Sequence, residues 1–234
     1  MVEYTINYWK NHPEITVLGI NSSPEEKQKP TIWEKDGFKI SMLNFTYGLN
    51  GFSLPKDKDY LVNILKCSDE DKALLKRAEE GADITVVFLH FGTEYTHTPT
   101  KQQKNEIEFL TKNGADVIIG THPHVVQPVA KHISENGNEA LVFYSLGNFV
   151  SNQSGEEKIL GGMADVTLVK ENGQVYIEKY QMHPTVTHVS GGKYSAYMLA
   201  DYTDELAKKH TRCPGLTVEK LKQLFNNIRR IKVY

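Results

Sequence analysis

The chain has 234 residues, with 27 Lys and Arg against 29 Asp and Glu, which gives a formal net charge of −2 at pH 7. A balance so close to neutral excludes a function that rests on overall positive charge, so we expect no nucleic-acid partner. The length permits one large α/β domain or two small ones, and no apolar run approaches the ~20 residues of a membrane span, so the chain as given is expected to be soluble.

The first predicted elements are a helix that Pro13 stops and a strand over residues 15–20, ITVLGI. An apolar run bounded by Pro and by Asn-Ser-Ser is typical of a strand. Because the chain begins within a helix, we expect the opening strands of an α/β domain to be missing. Residues 15–20 would then form an exposed sheet edge, and we expect the chain either to self-associate through this edge, which is slightly favoured, or to be considerably less stable than the parent protein. Asp36 and Gly37 next predict the tight turn of a β-hairpin.

Two similar helix and strand units follow this hairpin. Ser68 is a typical helix N-cap and Gly81 a typical stop, and ITVVFLH, residues 84–90, has the composition of a strand. The same order recurs with a helix that Gly114 ends and with the strand VIIG, residues 117–120. Two consecutive units of this kind indicate parallel βαβ packing, with helices covering the sheet.

The second half of the chain returns to antiparallel patterns. The segment NEALVFYSLGNFVS, residues 138–151, contains a strand, and Asn172 and Gly173 predict the turn of a long hairpin. Residues 217–231 predict a terminal amphipathic helix, whose apolar stripe serves core packing or, alternatively, a partner. The stripe consists of Val218, Leu221, Leu224, Phe225 and Ile228. The fold class is therefore α/β with mixed sheets.

The two cysteines, Cys67 and Cys213, have neither CxxC spacing nor a histidine beside them. This pattern argues against a zinc cluster of cysteines, and it leaves open whether the two thiols pair.

Histidines follow two of the predicted parallel strands. His90 ends the strand 84–90, with Glu94 shortly after it, and His122 and His124 follow the strand 117–120. Ligands of open α/β sheets bind outside the carboxyl ends of the strands, so we expect these side chains to converge. Three neutral imidazoles suit Zn, Mn, Fe or Ni better than Ca or Mg. The alternative is that they are structural histidines, as one alone would be.

Other polar residues near these strand ends are candidates for substrate binding. They are Glu94, Gln127 and Asn148. Asn148 lies at a loop tip after Gly147, where it binds substrate or metal or, alternatively, bonds its own turn. Glu94 has the alternative of a local cap or ion pair, and His97 is either a residue behind the ligands or a structural histidine.

Three segments together resemble a known family. The segments VVFLHFGTEY, ADVIIGTHPHVVQP and LVFYSLGNFVS, in this order, look like the motifs of the CapA-type capsule and poly-γ-glutamate biosynthesis proteins. DGFKISMLNFTYGLNG is similar to the segment that precedes them in that family. The resemblance covers roughly residues 15–165, and that family in turn resembles the calcineurin-like metallophosphoesterases.

The resemblance implies a fold and a ligand set. The fold would be part of a four-layer α-β-β-α metallophosphoesterase-like sandwich with its opening strands missing. Residues 1–190 would form this domain and residues 191–234 a helical extension packed on it. His90 would be one metal ligand and His122 and His124 two others, for a divalent transition metal such as Mn, Zn or Fe. The resemblance assigns no catalytic residue here.

The chain departs from the phosphoesterase pattern in its first ligands. The two Asp residues and the Asn-His motif of those relatives have no counterpart, because Asn11 and His12 precede a strand instead of following one. Thr121 also separates the Gly from the first His, as it does in CapA-like members. We therefore expect weak or no phosphatase activity from this chain.

Three functions follow from the resemblance. The first is synthesis or export of poly-γ-glutamate or a related capsule polymer at the outer face of a bacterial membrane. The second is polymer binding or assembly without catalysis, and the third is a metal-dependent phosphoesterase. The partners implied are an anionic polymer or a phosphoester, together with other membrane-bound synthesis components.

Overall fold

The computed structural model describes residues 2–233. The helices are α1 Val2–Trp9, α2 Pro24–Lys27, α3 Asp69–Gly81, α4 Lys101–Lys112, α5 Glu156–Ile159, α6 Asp204–Lys208 and α7 Val218–Arg229. The strands are β1 Thr31–Lys35, β2 Phe38–Thr46, β3 Ile84–His90, β4 Val117–Thr121, β5 Val129–Ile133, β6 Glu139–Phe143, β7 Leu160–Glu171, β8 Gln174–Ser190 and β9 Lys193–Met198. Short 3-10 turns cover Asp59–Leu61 and Leu199–Asp201.

The strands form a mixed sheet and an antiparallel sheet. The mixed sheet has the order β1-β2-β3-β4-β6-β5, and the antiparallel sheet has the order β7-β8-β9. Strands β1 and β2 are the predicted hairpin, with φ angles of 52° at Asp36 and 81° at Gly37. Strands β2 and β3 are parallel, in a register that places Thr46 opposite His90. The predicted α/β class with mixed sheets is confirmed.

Helix α3 has the cap and the apolar face that the sequence pattern predicts. Ser68 and Asp71 form a capping box, and the helix buries Leu74, Leu75 and Ala78. The helix contacts β2 and β3, so its apolar stripe packs against the sheet. The second predicted unit is confirmed as α4 and β4, with φ 100° at Gly114 after the helix.

The predicted strand over residues 15–20 is wrong. Within this segment only Ile20 forms a bridge, with Val62, and the segment is otherwise irregular. Gly19 has φ 86°, outside the range of a strand. Ile15 and Val17 are 45% and 36% exposed, so the apolar run is not a core strand. Residues 15–20 therefore provide no strand edge through which two chains could associate.

The chain forms two compact units. The first unit runs to His90 and adds Asn105–Ile118 and His132–Ala140. The second unit comprises Phe91–Lys104, Ile119–Lys131 and the chain from Leu141 onward. The division of the sequence into residues 1–190 and 191–234 stays a prediction.

The second unit has its own core, which the C-terminal helix helps to form. Thr217 caps α7 by accepting a hydrogen bond from the Lys220 N–H, and Leu221, Phe225 and Ile228 are buried. All three belong to a cluster of buried apolar side chains that includes residues of β6, β7 and β8. The apolar stripe of α7 therefore serves core packing.

The structure also bears on the two cysteines and on membrane-spanning segments. Cys67 and Cys213 are both free thiols. Among the residues that the structure describes, no helix is both long enough and apolar enough to cross a membrane.

Candidate functional site

The loop after β4 carries two histidines in an unusual backbone conformation. His122 and His124 have φ angles of 102° and 60°, a region that residues with a side chain seldom adopt. Tyr95, on the segment after β3, has φ 63°, and its N–H donates to the Pro123 carbonyl at 2.8 Å. Such conformations persist only where the surroundings hold them, and they are common at functional sites. These residues therefore mark the candidate site.

Asn148 fixes the tautomer of the His124 ring. Its Nδ2 donates to the backbone carbonyls of His124 and Lys158, at 3.2 and 2.9 Å. Because a carbonyl only accepts, these bonds determine which end of the Asn148 amide is the nitrogen. Asn148 Oδ1 then accepts from His124 Nδ1 at 2.9 Å. The neutral His124 ring consequently has its proton on Nδ1 and a lone pair on Nε2.

The Nε2 atom of His124 faces a carboxylate. It lies 3.9 Å from Glu94 Oε1, and the two side chains are 33% and 46% exposed. Two lone-pair atoms at this separation are complementary to an electrophile between them, which is either a proton on the ring or a cation. The pair can therefore take up a proton or supply two ligands to a metal.

His122 lies beside this pair. The ring centroids of His122 and His124 are 6.2 Å apart, with the ring planes tilted by 49°. Burial holds the pKa of His122 below its ordinary value of 6.5, and His124 lowers that pKa further while Glu94 raises it. A lowered pKa keeps His122 neutral at pH 7, the form that binds a metal or accepts a proton.

Three further side chains complete the site, and sequence reasoning missed them. The Tyr95 ring stacks on His124 with centroids 5.9 Å apart, and Lys158 Nζ lies 5.0 Å above the Tyr95 ring. Gln153 donates to the Tyr95 hydroxyl at 3.3 Å and accepts from Asn148 Nδ2 at 3.1 Å. Tyr95 adjoins Glu94 in the sequence, which was a usable signal. Gln153 and Lys158 reach the site only through the fold of their loop.

Glycines allow the close backbone approach that places Asn148. Gly147 and Gly161 form an antiparallel bridge, and Gly147 has φ 63°. A Cβ atom on Gly161 would lie 2.2 Å from the carbonyl oxygen of Asn148. No side chain fits in that gap, so β7 can support Asn148 at this distance only with glycine.

Gln127 lies within the same unit but does not face the open site. Its side chain is fully buried, with Nε2 donating to the Thr96 carbonyl at 2.9 Å. Gln103 Nε2 donates to Gln127 Oε1 at 2.8 Å. Both ends of the Gln127 amide therefore order the segment between Thr96 and Gln103. Substrate binding by Gln127 stays a prediction.

His97 repeats the arrangement of His124. Its Nδ1 donates to the Val126 carbonyl at 2.7 Å. Its Nε2 is buried without a hydrogen-bond partner and lies 3.9 Å from Glu157 Oε1. The ring nitrogen that would bind a cation is thus directed at a carboxylate, as in His124. Whether His97 supports the site or is structural stays open.

His90 belongs to the first unit. It is exposed at the end of β3, where its ring stacks on Tyr47 with centroids 6.2 Å apart. Its share in a metal site with His122 and His124 stays a prediction.

The donor set of the second unit fits a metal only in part. Within residues 2–233, no three His, Cys, Asp or Glu side chains are arranged to hold a metal ion. His124 meets one requirement of a ligand, since its other ring nitrogen is hydrogen bonded. One imidazole and one carboxylate still fall short of the three protein ligands of a catalytic zinc. We therefore derive no chemical step through a metal.

Comparison with known proteins identifies relatives. A family model described as bacterial capsule synthesis protein PGA_cap matches residues 2–153. The PGA biosynthesis protein CapA of Bacillus subtilis (strain 168) is 32% identical over 142 residues, 59% of this chain and 35% of that protein. The capsule biosynthesis protein CapA of Bacillus anthracis is 36% identical over 102 residues, 43% of this chain and 22% of that protein. The chain thus spans about a third or less of the length of these curated relatives.

Solved structures are similar only at a low level. The NAD nucleotidase of Haemophilus influenzae is 15% identical with a TM-score of 0.45, covering 90% of this chain and 44% of that chain. A putative 5'-nucleotidase from Staphylococcus aureus is 16% identical with a TM-score of 0.47, covering 74% and 33%. The family match, by contrast, covers well over half of the sequence and includes every segment that carries a site residue up to Gln153. The chain belongs to the bacterial capsule synthesis protein family PGA_cap.

Proposed function

We propose that this chain acts in the synthesis or export of a capsule polymer, such as poly-γ-glutamate, at the outer face of a bacterial membrane. Family membership and the two CapA relatives support a role in capsule synthesis. Other membrane-bound synthesis components would be its partners. The cluster of His122, His124, Glu94 and Asn148 would be the functional site.

One observation carries the choice of this site. His124 Nδ1 is held by Asn148, and its Nε2 faces Glu94 across 3.9 Å. His124 Nε2 and Glu94 Oε1 would be two of the ligands of a divalent transition metal, which would supply Lewis acidity toward an anionic group. The chain's own residues fix the ring, supply a carboxylate and keep His122 neutral. Further ligands, among them His90, are part of the proposal.

The proposal is tested with Zn²⁺ and the full 234-residue chain. We expect Zn²⁺ to shift the His124 Nε2 resonance in ¹H–¹⁵N spectra, and Glu94→Gln and Asn148→Ala to weaken binding on the order of tenfold or more. The matched control is Glu205→Gln on α6, an exposed carboxylate outside the site. A His124 resonance that does not respond to Zn²⁺, or equal affinity in Glu94→Gln, would contradict metal binding at this cluster.

A second candidate is polymer binding without catalysis. Lys158 Nζ lies over the Tyr95 ring beside the site, so a cation stands where an anionic chain could pass. In metal-free buffer we expect Lys158→Ala to weaken binding of poly-γ-glutamate several-fold, and Lys208→Ala, an exposed lysine on α6, to leave it unchanged. Equal losses in both variants would indicate non-specific attraction and contradict this candidate.

Phosphoester hydrolysis is the third candidate, and we expect it to be weak or absent. The residues described contain no group of three metal-binding side chains. The measurement is turnover of p-nitrophenyl phosphate with Mn²⁺ or Zn²⁺. Robust turnover that His124→Ala abolishes would contradict this expectation.

A further inference from the structure

The family match ends at residue 153, at a loop that residues from beyond the match hold in place. This loop, residues 148–153, is called the site loop here. It carries Asn148, which accepts from His124, and Gln153, which bonds both Asn148 and Tyr95. Its position therefore determines whether the His124 ring keeps its partner.

Apolar packing contributes little to the position of the site loop. Phe149 and Val150, which directly follow Asn148, are 63% and 53% exposed. A loop with exposed apolar side chains gains little from burial. Hydrogen bonds must therefore fix its conformation.

Two donors from later in the chain converge on one atom of the site loop. The Tyr194 hydroxyl donates to Asn152 Oδ1 at 2.6 Å, and Arg212 Nη2 donates to the same oxygen at 2.7 Å. A third bond runs from Thr187 Oγ1 to the Phe149 carbonyl at 3.1 Å. The Arg212 bond is charge-assisted, which makes it stronger than a bond between neutral groups. Arg212 forms no ion pair with any carboxylate in residues 2–233, so its charge is directed to this amide.

A buried histidine fixes the backbone that carries Arg212. The Arg212 N–H donates to His210 Nδ1 at 3.1 Å, and His210 Nε2 donates to the Thr187 carbonyl at 3.0 Å. Both ring nitrogens are thus used by a neutral ring that is only 4% exposed. Thr211 adds two bonds to the Val189 carbonyl, at 2.8 and 2.9 Å. Arg212 consequently extends from a segment fixed to β8.

We infer that Arg212 and Tyr194 are positioning residues for the candidate site. They hold Asn152, and through it the site loop, in the geometry in which Asn148 bonds His124. The inference rests on the proposed function of that site. It assigns a role to a part of the chain that lies outside the family match.

The test uses metal-free protein, so that its result does not depend on metal binding or activity. We expect Arg212→Ala and Tyr194→Phe each to raise hydrogen exchange of residues 149–153 by about threefold or more, and to shift or broaden the Asn148 side-chain amide and His124 ring signals. Arg212→Lys should raise the hydrogen exchange less than Arg212→Ala does, because lysine keeps a charged donor. Arg230→Ala, at an exposed arginine after α7, is the matched control and should change neither signal.

Each outcome decides the inference. It is overturned if Arg212→Ala and Tyr194→Phe leave both the exchange and the His124 signal unchanged, or if Arg230→Ala has the same effect as Arg212→Ala. A global loss of stability would raise exchange in all of β8 as well, and a uniform rise of that kind would also overturn it. If the loop responds but wild-type protein binds no Zn²⁺, the positioning stands and the proposed metal site fails.

Discussion

His124 and Asn148 are joined by a 2.9 Å bond from Nδ1 to Oδ1, although they are 24 positions apart in the sequence. The direction of this bond is fixed because the Asn148 atom that faces two backbone carbonyls must be the donor Nδ2, which leaves Oδ1 as the atom that accepts from the ring. Local sequence places each residue on a loop after a strand. Only the fold gives the imidazole a defined tautomer, and with it a lone pair directed at Glu94.

The pKa of His122 should move in opposite directions in two variants. Glu94 raises this pKa and His124 lowers it, on top of the larger lowering by burial. We therefore expect Glu94→Gln to lower the His122 pKa further and His124→Gln to raise it. The measurement is NMR titration of the His122 ring. Shifts of the same sign in both variants would show that burial changes, and not these charges, dominate.

Gly161→Ala should disturb the site through the backbone of Asn148. The new Cβ would lie 2.2 Å from the Asn148 carbonyl oxygen and 2.7 Å from Thr185 Oγ1. Neither neighbour is the free end of a flexible side chain, so we expect a loss of about 2 kcal/mol in the free energy of unfolding. Gly48→Ala is the control, since nothing lies within 4 Å of its Cβ. Equal urea midpoints for the two variants would contradict the packing argument.

Local signals were sufficient for much of the fold. The Asp36-Gly37 and Asn172-Gly173 turns and the cap at Ser68 are visible in a few neighbouring residues, and each is present in the structure. The strand predicted over residues 15–20 was wrong because an apolar run does not reveal whether its backbone pairs with a neighbouring strand. Strand β9 was missed although Gly191-Gly192 is a typical hairpin signal.

The site was predictable only where it lies on strand ends. The structure brings Glu94, His122, His124 and Asn148 together within one unit, while His90, the other strand-end histidine, belongs to the first unit. Binding of metal or substrate by these residues stays a prediction. Lys158 and Arg212 could not be predicted. Each depends on where a loop from a distant part of the chain comes to lie, and no periodicity or spacing encodes that.

Asp116→Asn should stabilise the protein relative to the wild type, and this gain should increase as the pH rises. Burial raises the pKa of Asp116 from 3.8 to about 6, although the Thr85 N–H that it accepts opposes the shift. The folded state then holds the proton more tightly than the unfolded state, so the wild type loses stability as the pH rises from 4 to 6. Asn keeps the acceptor without the charge. We expect a gain of about 1 to 2 kcal/mol at pH 7 and little gain at pH 4. Denaturant unfolding at both pH values measures this, and an equal effect at both would contradict it.

Acidification should destabilise the second unit through His188. This ring is 6% exposed, accepts or donates one bond with the Tyr202 hydroxyl at 2.8 Å, and packs edge-on against His210 with centroids 5.3 Å apart. Burial lowers the pKa of His188 from 6.5, and His210 lowers it further. The unfolded chain therefore binds a proton at a higher pH than the folded chain does, and stability is lost as the pH falls below about 6.5.

His188→Gln isolates this effect, because Gln keeps a partner for Tyr202 but does not titrate. We expect the wild type to lose more unfolding free energy than His188→Gln between pH 7 and pH 5. His12→Gln, at a histidine near the start of the chain whose ring bonds the Glu14 carboxylate, is the comparison and should follow the wild type. Parallel pH profiles for wild type and His188→Gln would mean that burial of this imidazole has no bearing on acid stability.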